Sequence, residues 1–191
     1  MKIREGKHAM SERRICVYAS SSERTPPKYL DQSAQLGAAL AAYPASLING
    51  AGRTGCMGAL NDACIAAGGR VEGVILQKFV DDDLHHYHLH EMIVVDTMRE
   101  RKRLLAQDIH GFIALPGGPG TWEELWEIAV ERQIGTHQSP LILINYNGYY
   151  DGFKQQLERA EQDEMLYGPA SDLITFVKDA ESAIHALKQQ L

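Results

Sequence analysis

Apolar residues along this chain alternate between two patterns. Short continuous runs read as strands: Ile15 to Ala19, Leu47-Ile48, Val71 to Leu76, Phe112 to Leu115 and Leu141 to Ile144. A briefer run lies at Met92 to Val95, and another strand is expected near Leu173 to Phe176. Between the runs, apolar positions recur at helical spacing. Pro26-Pro27 opens a helix through Leu30, Leu36 and Leu40, because proline at the first helical position sacrifices no hydrogen bond. Further helices are predicted from Cys56 to Ala67, closed by Gly68-Gly69, and from Thr97 to Asp108. Others run from the Pro116–Thr121 segment to about Ile134, from Asp151 to Glu161, and from Asp179 onward. Gln77 to Glu91 reads as a polar connection. Strands such as Leu141-Ile142-Leu143-Ile144, apolar throughout, belong in a parallel sheet with both faces covered. The βα alternation implies right-handed crossovers, hence an α/β fold: a doubly wound, mostly parallel sheet with helices on both faces.

Composition narrows this picture only slightly. The 191 residues suit one domain, taken as residues 15–191, with no repeat or linker. The preceding segment, Met1 to Arg14, is polar, lacks the apolar core of a signal peptide, and reads as a flexible arm or appended extension. A formal charge of −6 argues against a general nucleic-acid binder, though not against a nucleotide ligand. No run is long enough to span a bilayer. Cys16, Cys56 and Cys64 form no CxxC pair, which fits small buried thiols in a reducing cytoplasm.

The candidate chemistry gathers in two glycine-rich loops. Each follows a strand and precedes a helix, the place where open parallel sheets bind ligands and where helix N-termini offer free N–H groups to a phosphate. Gly50 to Gly55 matches G-x-G-x-x-G. It follows the second strand rather than the first, and Glu72 lies near the start of the next strand, so a dinucleotide reading is weak. A tight turn with close helix packing is its plain structural reading. Pro116-Gly117-Gly118-Pro119-Gly120-Thr121-Trp122-Glu123-Glu124 is more specific. Its structural reading is a capping box, with Thr121 as N-cap and Glu124 as the third helical residue, but three glycines exceed what a cap needs. Neither loop is a P-loop.

The Thr97 helix adds positive charge. Met98, Lys102, Leu105 and Ile109 fall on one stripe, which places Lys102 among residues expected to be buried, with Arg101 beside it. Arg99 and Arg103 read as solvated. His85, His86, His88 and His90 crowd the polar connection after Asp81-Asp82-Asp83. No carboxylate or cysteine spacing fixes a metal geometry there, so no metal is assigned and a substrate-covering loop is expected.

Met98-x-x-Arg101-Lys102 followed by PGGxGTxxE at Pro116 to Glu124 resembles the LONELY GUY (LOG) family of cytokinin riboside 5'-monophosphate phosphoribohydrolases, often labelled lysine decarboxylases. Gly50 to Gly58 and Ser20-Ser21-Ser22 agree, and the likeness runs from about Ile15 to Leu187. It implies a Rossmann-like fold and cleavage of a purine nucleoside 5'-monophosphate, with adenine or N6-modified adenine as base, to free base and ribose 5-phosphate. It implies Arg101 and Glu124 as the catalytic pair. Ser21, Gly50, Gly52, Asp83, Met98, Lys102, Gly117, Gly118, Gly120 and Thr121 would bind substrate. It also points to an even homo-oligomer, a dimer at least, and an apolar band on the loop's helix (Trp122, Leu125, Trp126, Ala129, Val130, Ile134) offers the surface. Asp83 stands where the family favours a glutamate, Val130 where plant members carry threonine, and Glu131 in place of a common tryptophan. These departures bear on base choice, not on the catalytic motifs. No cofactor is expected. A carrier of a phosphorylated, pterin-like cofactor is the alternative on the same scaffold. A decarboxylase would need a Schiff-base lysine for pyridoxal phosphate, which nothing in the sequence supports.

Overall fold

The computed structural model describes residues 13–191. Seven parallel strands form one sheet: β1 (Arg13–Tyr18), β2 (Ala45–Asn49), β3 (Val71–Leu76), β4 (Glu91–Val95), β5 (Gly111–Ala114), β6 (Leu141–Ile144) and β7 (Thr175–Val177). Their order is β4-β3-β2-β1-β5-β6-β7, and every neighbouring pair is parallel. The chain winds outward from β1 to β4, returns to the centre, and winds the other way through β5 to β7. The fold is Rossmann-like and doubly wound. The connections after β1 and β5 therefore diverge at the centre of the sheet, opening a crevice beyond the strand ends.

Alternation along the strands divides the core. Ile15 and Val17 of β1 face one layer, with Leu36 and Leu40 of α1 (Pro27–Ala41), Leu60 and Cys64 of α2 (Gly55–Ala66), and Leu187 of the C-terminal helix Ala180–Gln190. Cys16 and Tyr18 face the other layer, with Leu105 of the helix Met98–Ala106, Leu125 and Ile128 of the helix Pro119–Gln133, and Leu157 of the helix Asp151–Gln162. In chain order the helices after α2 are α3 (Gln77–Asp81), then α4, α5 and α6 for those just named at Met98, Pro119 and Asp151, α7 (Ala170–Leu173) and α8 at the C-terminus.

Several boundaries differ from the sequence reading. Arg13 and Arg14 belong to β1, inside the stretch read as an arm, and the rest of that stretch lies outside the described residues. The polar connection contains α3, which buries no residue and so carries no apolar signature. The expected strand at Leu173 begins at Thr175, because Leu173 ends α7. Helix α5 begins at Pro119 with Gly118 as N-cap, two residues before Thr121. Proline at the first position explains the early start. The capping-box reading is thereby overturned: Thr121 is the third helical residue, and Glu124 sits well inside the helix. The apolar band on α5 is mostly core. Leu125 and Ala129 are buried, and Trp122 and Trp126 pack on Phe153, leaving only Val130 and Ile134 exposed.

Candidate active site

The loops after β1, β2 and β5 meet at the carboxyl edge of the sheet. The first glycine loop is docked on the serine loop: Thr54 Oγ1 donates to Ser21 O at 2.5 Å and Met57 N to Ser20 O at 3.0 Å. Gly55 has φ +63, and a Cβ there would press on Ser20, Ser21 and Ser22 backbone atoms at 2.8 Å. Several of the loop's backbone groups are paired with side chains of the flanking elements. Ala51 N donates to Asn49 Oδ1 (2.9 Å), Asn61 Nδ2 to Gly52 O (3.2 Å), and Gly52 N to Met57 Sδ (3.0 Å). These pairings fix the shape of the loop where it borders the crevice.

Its glycine has a different purpose. A Cβ on Gly50 would overlap Arg101 Nη2. The missing side chain admits the guanidinium of Arg101, from α4, into the crevice. Arg101 is buried, with Nε donating to Val74 O at 3.1 Å and Nη1 to Glu124 Oε1 at 2.8 Å. Glu124 is buried too. Burial pushes its carboxyl above the ordinary 4.5, and Arg101 only partly offsets that. A cavity of about 110 Å³ opens beside Arg101, walled also by Ser21, Gly52, Met57, Phe79 and Leu84. A roomier groove of about 380 Å³ lies by β7, lined by Leu157, Ile174 and Phe176 together with Lys154, Glu158 and Glu161, and it includes none of the residues of the glycine loops.

The second loop arches over the same edge. A Cβ on Gly117 would overlap Thr121 Oγ1, so glycine is required for the loop to close on its helix. Around Gly118 and Gly120 the situation is reversed, since a Cβ at either would meet nothing within 4 Å. The first turn of α5 leaves N–H groups of Gly120 and Thr121 outside the helical hydrogen-bond pattern, next to its positive dipole end. This part of the loop is open and suited to an anion.

A family profile described as "possible lysine decarboxylase" matches residues 57–187. A probable cytokinin riboside 5'-monophosphate phosphoribohydrolase of Oryza sativa subsp. japonica is 34% identical over 184 residues, covering 96% of this chain and 81% of the relative. A cytokinin riboside 5'-monophosphate phosphoribohydrolase of Rhodococcoides fascians is 34% identical over 175 residues, 91% of this chain and 88% of the relative. The chain belongs to the LOG family. Among solved structures, the molybdenum cofactor binding protein of Rippkaea orientalis superposes with a TM-score of 0.72 at 20% identity, covering 95% of this chain and 98% of that one. The molybdenum cofactor carrier protein of Chlamydomonas reinhardtii gives 0.71 at 21%, over 94% and 98%. These two share the fold.

The remaining residues that LOG resemblance singled out are distributed unevenly. Ser21, Gly50, Gly52 and Arg101 line one cavity. Lys102 does not join them. Its Nζ lies 2.5 Å from Glu123 and 3.0 Å from Glu127, tying α4 to α5. Hydrogen bonds to those carboxylates raise its pKa. Met98 is exposed at the start of α4. The expected stripe fails because α4 ends at Ala106, before Ile109, and Arg101 and Leu105 form its buried face. Asp83 is exposed, with φ +57, and accepts hydrogen bonds from Arg53 Nη1 and Tyr87 OH, both at 2.9 Å. Those bonds hold its carboxyl below the usual range.

The histidine segment is pinned to the first loop. Arg53 N donates to Leu84 O at 3.1 Å and His86 N to Ala51 O at 2.8 Å. His86 is buried against Asp62 (3.0 Å), while His90 Nδ1 accepts from Val71 N at 3.1 Å. No group of three metal-ligating side chains gathers among the described residues. Sequence reasoning missed Arg53, Tyr87, Met57, Phe79 and Leu84. Arg53 was detectable as the one cation inside a glycine loop, whereas Phe79 and Leu84 carried no signal in a segment that reads as polar.

Proposed function

We propose that this protein hydrolyses the N-glycosidic bond of a purine nucleoside 5'-monophosphate, with adenine or an N6-modified adenine as base, releasing free base and ribose 5-phosphate. The observation that carries the reading is the buried Arg101–Glu124 pair beside an open glycine loop at the switch point of the sheet. Water adds its oxygen to C1' as the bond from C1' to the base nitrogen breaks; one water proton passes to Glu124 and on to solvent, and the departing nitrogen takes up a proton from solvent. The sugar gains positive charge in that transition state, and a carboxylate stabilises it. A Glu124 carboxyl raised by burial is also a better proton acceptor for the attacking water than an ordinary glutamate. Arg101, bound to both Val74 O and Glu124, orients the carboxylate and stabilises charge. The 5'-phosphate would rest on the amides of Gly118, Gly120 and Thr121, fixing the sugar against Glu124. Asp83, bound by Arg53 and Tyr87, stands on the histidine segment that would cover the base.

The names of the relatives support the same reaction, and the reading calls on no cofactor. The decarboxylase description finds no support in Lys102, whose raised pKa is the reverse of what a Schiff-base lysine needs. The deciding experiment is incubation with a panel of nucleoside monophosphates and measurement of free base. Base release that is equally fast without the 5'-phosphate would refute the role of the loop. Tight nucleotide binding with no release would favour a carrier.

We further propose an even homo-oligomer. Ile93 and Val94 on the edge strand β4, with Val130 and Ile134 on α5, are exposed apolar groups that support it, and a monomeric mass at micromolar concentration would refute it. No helix among the described residues is long and apolar enough to cross a membrane. The three cysteines are buried and free, which supports a cytoplasmic setting.

A further inference from the structure

Two consecutive tyrosines grip the second glycine loop from beneath. Tyr150 OH donates to Leu115 O at 2.7 Å, and Tyr149 OH donates to Gly117 O at 2.8 Å. Both come from the turn after β6, which is rigidly built. Asn147 and Gly148 adopt φ of +53 and +71. The Asn145 side chain accepts from Tyr150 N and donates to Asp151 Oδ1, each at 2.7 Å. The Tyr149 ring is held edge-on by Tyr29 at 5.4 Å and Tyr150 at 4.8 Å. Burial raises the Tyr149 phenol above 10, so it keeps the proton it donates.

The two bonds have different consequences. A peptide unit is planar and trans, so its C=O and N–H point in opposite directions. Tethering the Gly117 carbonyl to Tyr149 sends the Gly118 N–H away from the tyrosine. The Leu115 carbonyl precedes Pro116, which has no N–H to aim. Tyr150 thus anchors the root of the loop, while Tyr149 sets the orientation of a donor in its open part.

We propose that Tyr149 is a positioning residue whose hydroxyl fixes the Gly117–Gly118 peptide plane and so aims the Gly118 amide at the phosphate of the substrate. This rests on the placement of the 5'-phosphate at this loop. Tyr149→Phe keeps the ring and its contacts and removes only the hydroxyl. The free loop peptide then samples orientations that point the amide elsewhere.

The test is equilibrium binding of ribose 5-phosphate and, separately, of free adenine to wild-type and Tyr149→Phe protein, with thermal unfolding as the check on folding. Loss of one aimed hydrogen bond to an anionic phosphate should weaken ribose 5-phosphate roughly ten- to a hundredfold. Adenine affinity should change by less than about twofold, which a general loosening of the site would not allow. In turnover, KM for the nucleotide should rise by the same factor as the ribose 5-phosphate dissociation constant. Wild-type protein that binds ribose 5-phosphate but releases no base would defeat the hydrolase reading and leave this proposal standing. A folded Tyr149→Phe variant with unchanged ribose 5-phosphate affinity, or one that loses both ligands equally, would overturn it.

Discussion

Replacing Glu124 by glutamine changes one oxygen to nitrogen at the centre of the site. The wild-type carboxylate lies 2.8 Å from Arg101 Nη1, and both side chains are below 10% exposed, at 8% and 9%. Removing one partner of a buried ion pair outright costs about 3–5 kcal/mol, because the other charge is left uncompensated. Glutamine retains a carbonyl oxygen for Nη1, and Arg101 keeps its bond to Val74 O. The change also relieves the desolvation of the carboxylate, the cause of its raised pKa. These gains bring the expected loss to about 1–3 kcal/mol. For a chain of this size that is a fall in Tm of roughly 2–12 °C. Glu124→Ala should approach the full penalty.

Turnover should respond on a different scale. If the carboxylate stabilises a cationic sugar, losing its charge should reduce kcat by about 10²–10³-fold, the range seen when one preorganised electrostatic group is removed. Nucleotide affinity should hold or tighten, since a carboxylate near a bound phosphate is unfavourable until the sugar becomes cationic. The assay measures thermal unfolding, nucleotide affinity and base release on one preparation. A double variant, Arg101→Gln with Glu124→Gln, separates structure from chemistry. It removes the orphaned charge and should regain stability without regaining turnover. A folded Glu124→Gln protein with near-normal turnover would refute the reasoning, as would a double variant that recovers both.

Other outcomes follow from the same geometry. Because the folded pKa of Glu124 lies above its unfolded value, the folded state binds this proton more tightly, and its contribution to stability is lost as pH rises from about 4.5 through the folded pKa. Activity that needs the carboxylate should rise over that same window, so the difference in stability between wild type and Glu124→Gln should run opposite to kcat against pH. A pH-independent stability difference would contradict the burial argument. Gly50→Ala should push Arg101 off Glu124 and cut kcat by about tenfold or more while leaving the fold intact by circular dichroism. Unchanged kcat would show that the guanidinium has room to move. Gly117→Ala should lower Tm through its clash with Thr121, whereas Gly118→Ala, with open space around it, should leave Tm unchanged and weaken only nucleotide binding. Equal Tm losses for the two variants would contradict the open-loop geometry.

How far the sequence was legible depends on what each residue is buried against. Strands β5 and β6 announced themselves because both faces are covered, so every residue is apolar or small. The edge strand β4 gave a weaker run, since Glu91, Ile93 and Val94 are exposed at the sheet margin. Thr121 and Glu124 matched a capping box locally, and that pattern was misleading. Pro119 starts the helix earlier, Thr121 packs on Gly117, and Glu124 turns to a cation from another helix. Local rules describe a helix end without knowing what the tertiary fold brings beside it.

Arg101 and Lys102 show the same limit from the other direction. Adjacent residues on a helix point about 100° apart, so only one of them can enter the crevice. Hydrophobic periodicity favoured Lys102 by counting Ile109 as helical, but α4 stops at Ala106. A charged residue can occupy the buried face only if partners await it, and those partners lie on three other segments: Val74 on β3, Glu124 on α5, and the vacancy at Gly50. The first glycine loop reads as a phosphate cradle because its missing side chains leave room beside a helix N-terminus. The protein fills that room at Gly50 with its own cation and leaves the second loop open. Two loops of similar composition thus acquire different surroundings, one accommodating Arg101 and the other left open at Gly118 and Gly120. What separates them is the neighbour each glycine meets, which neither loop's own sequence contains.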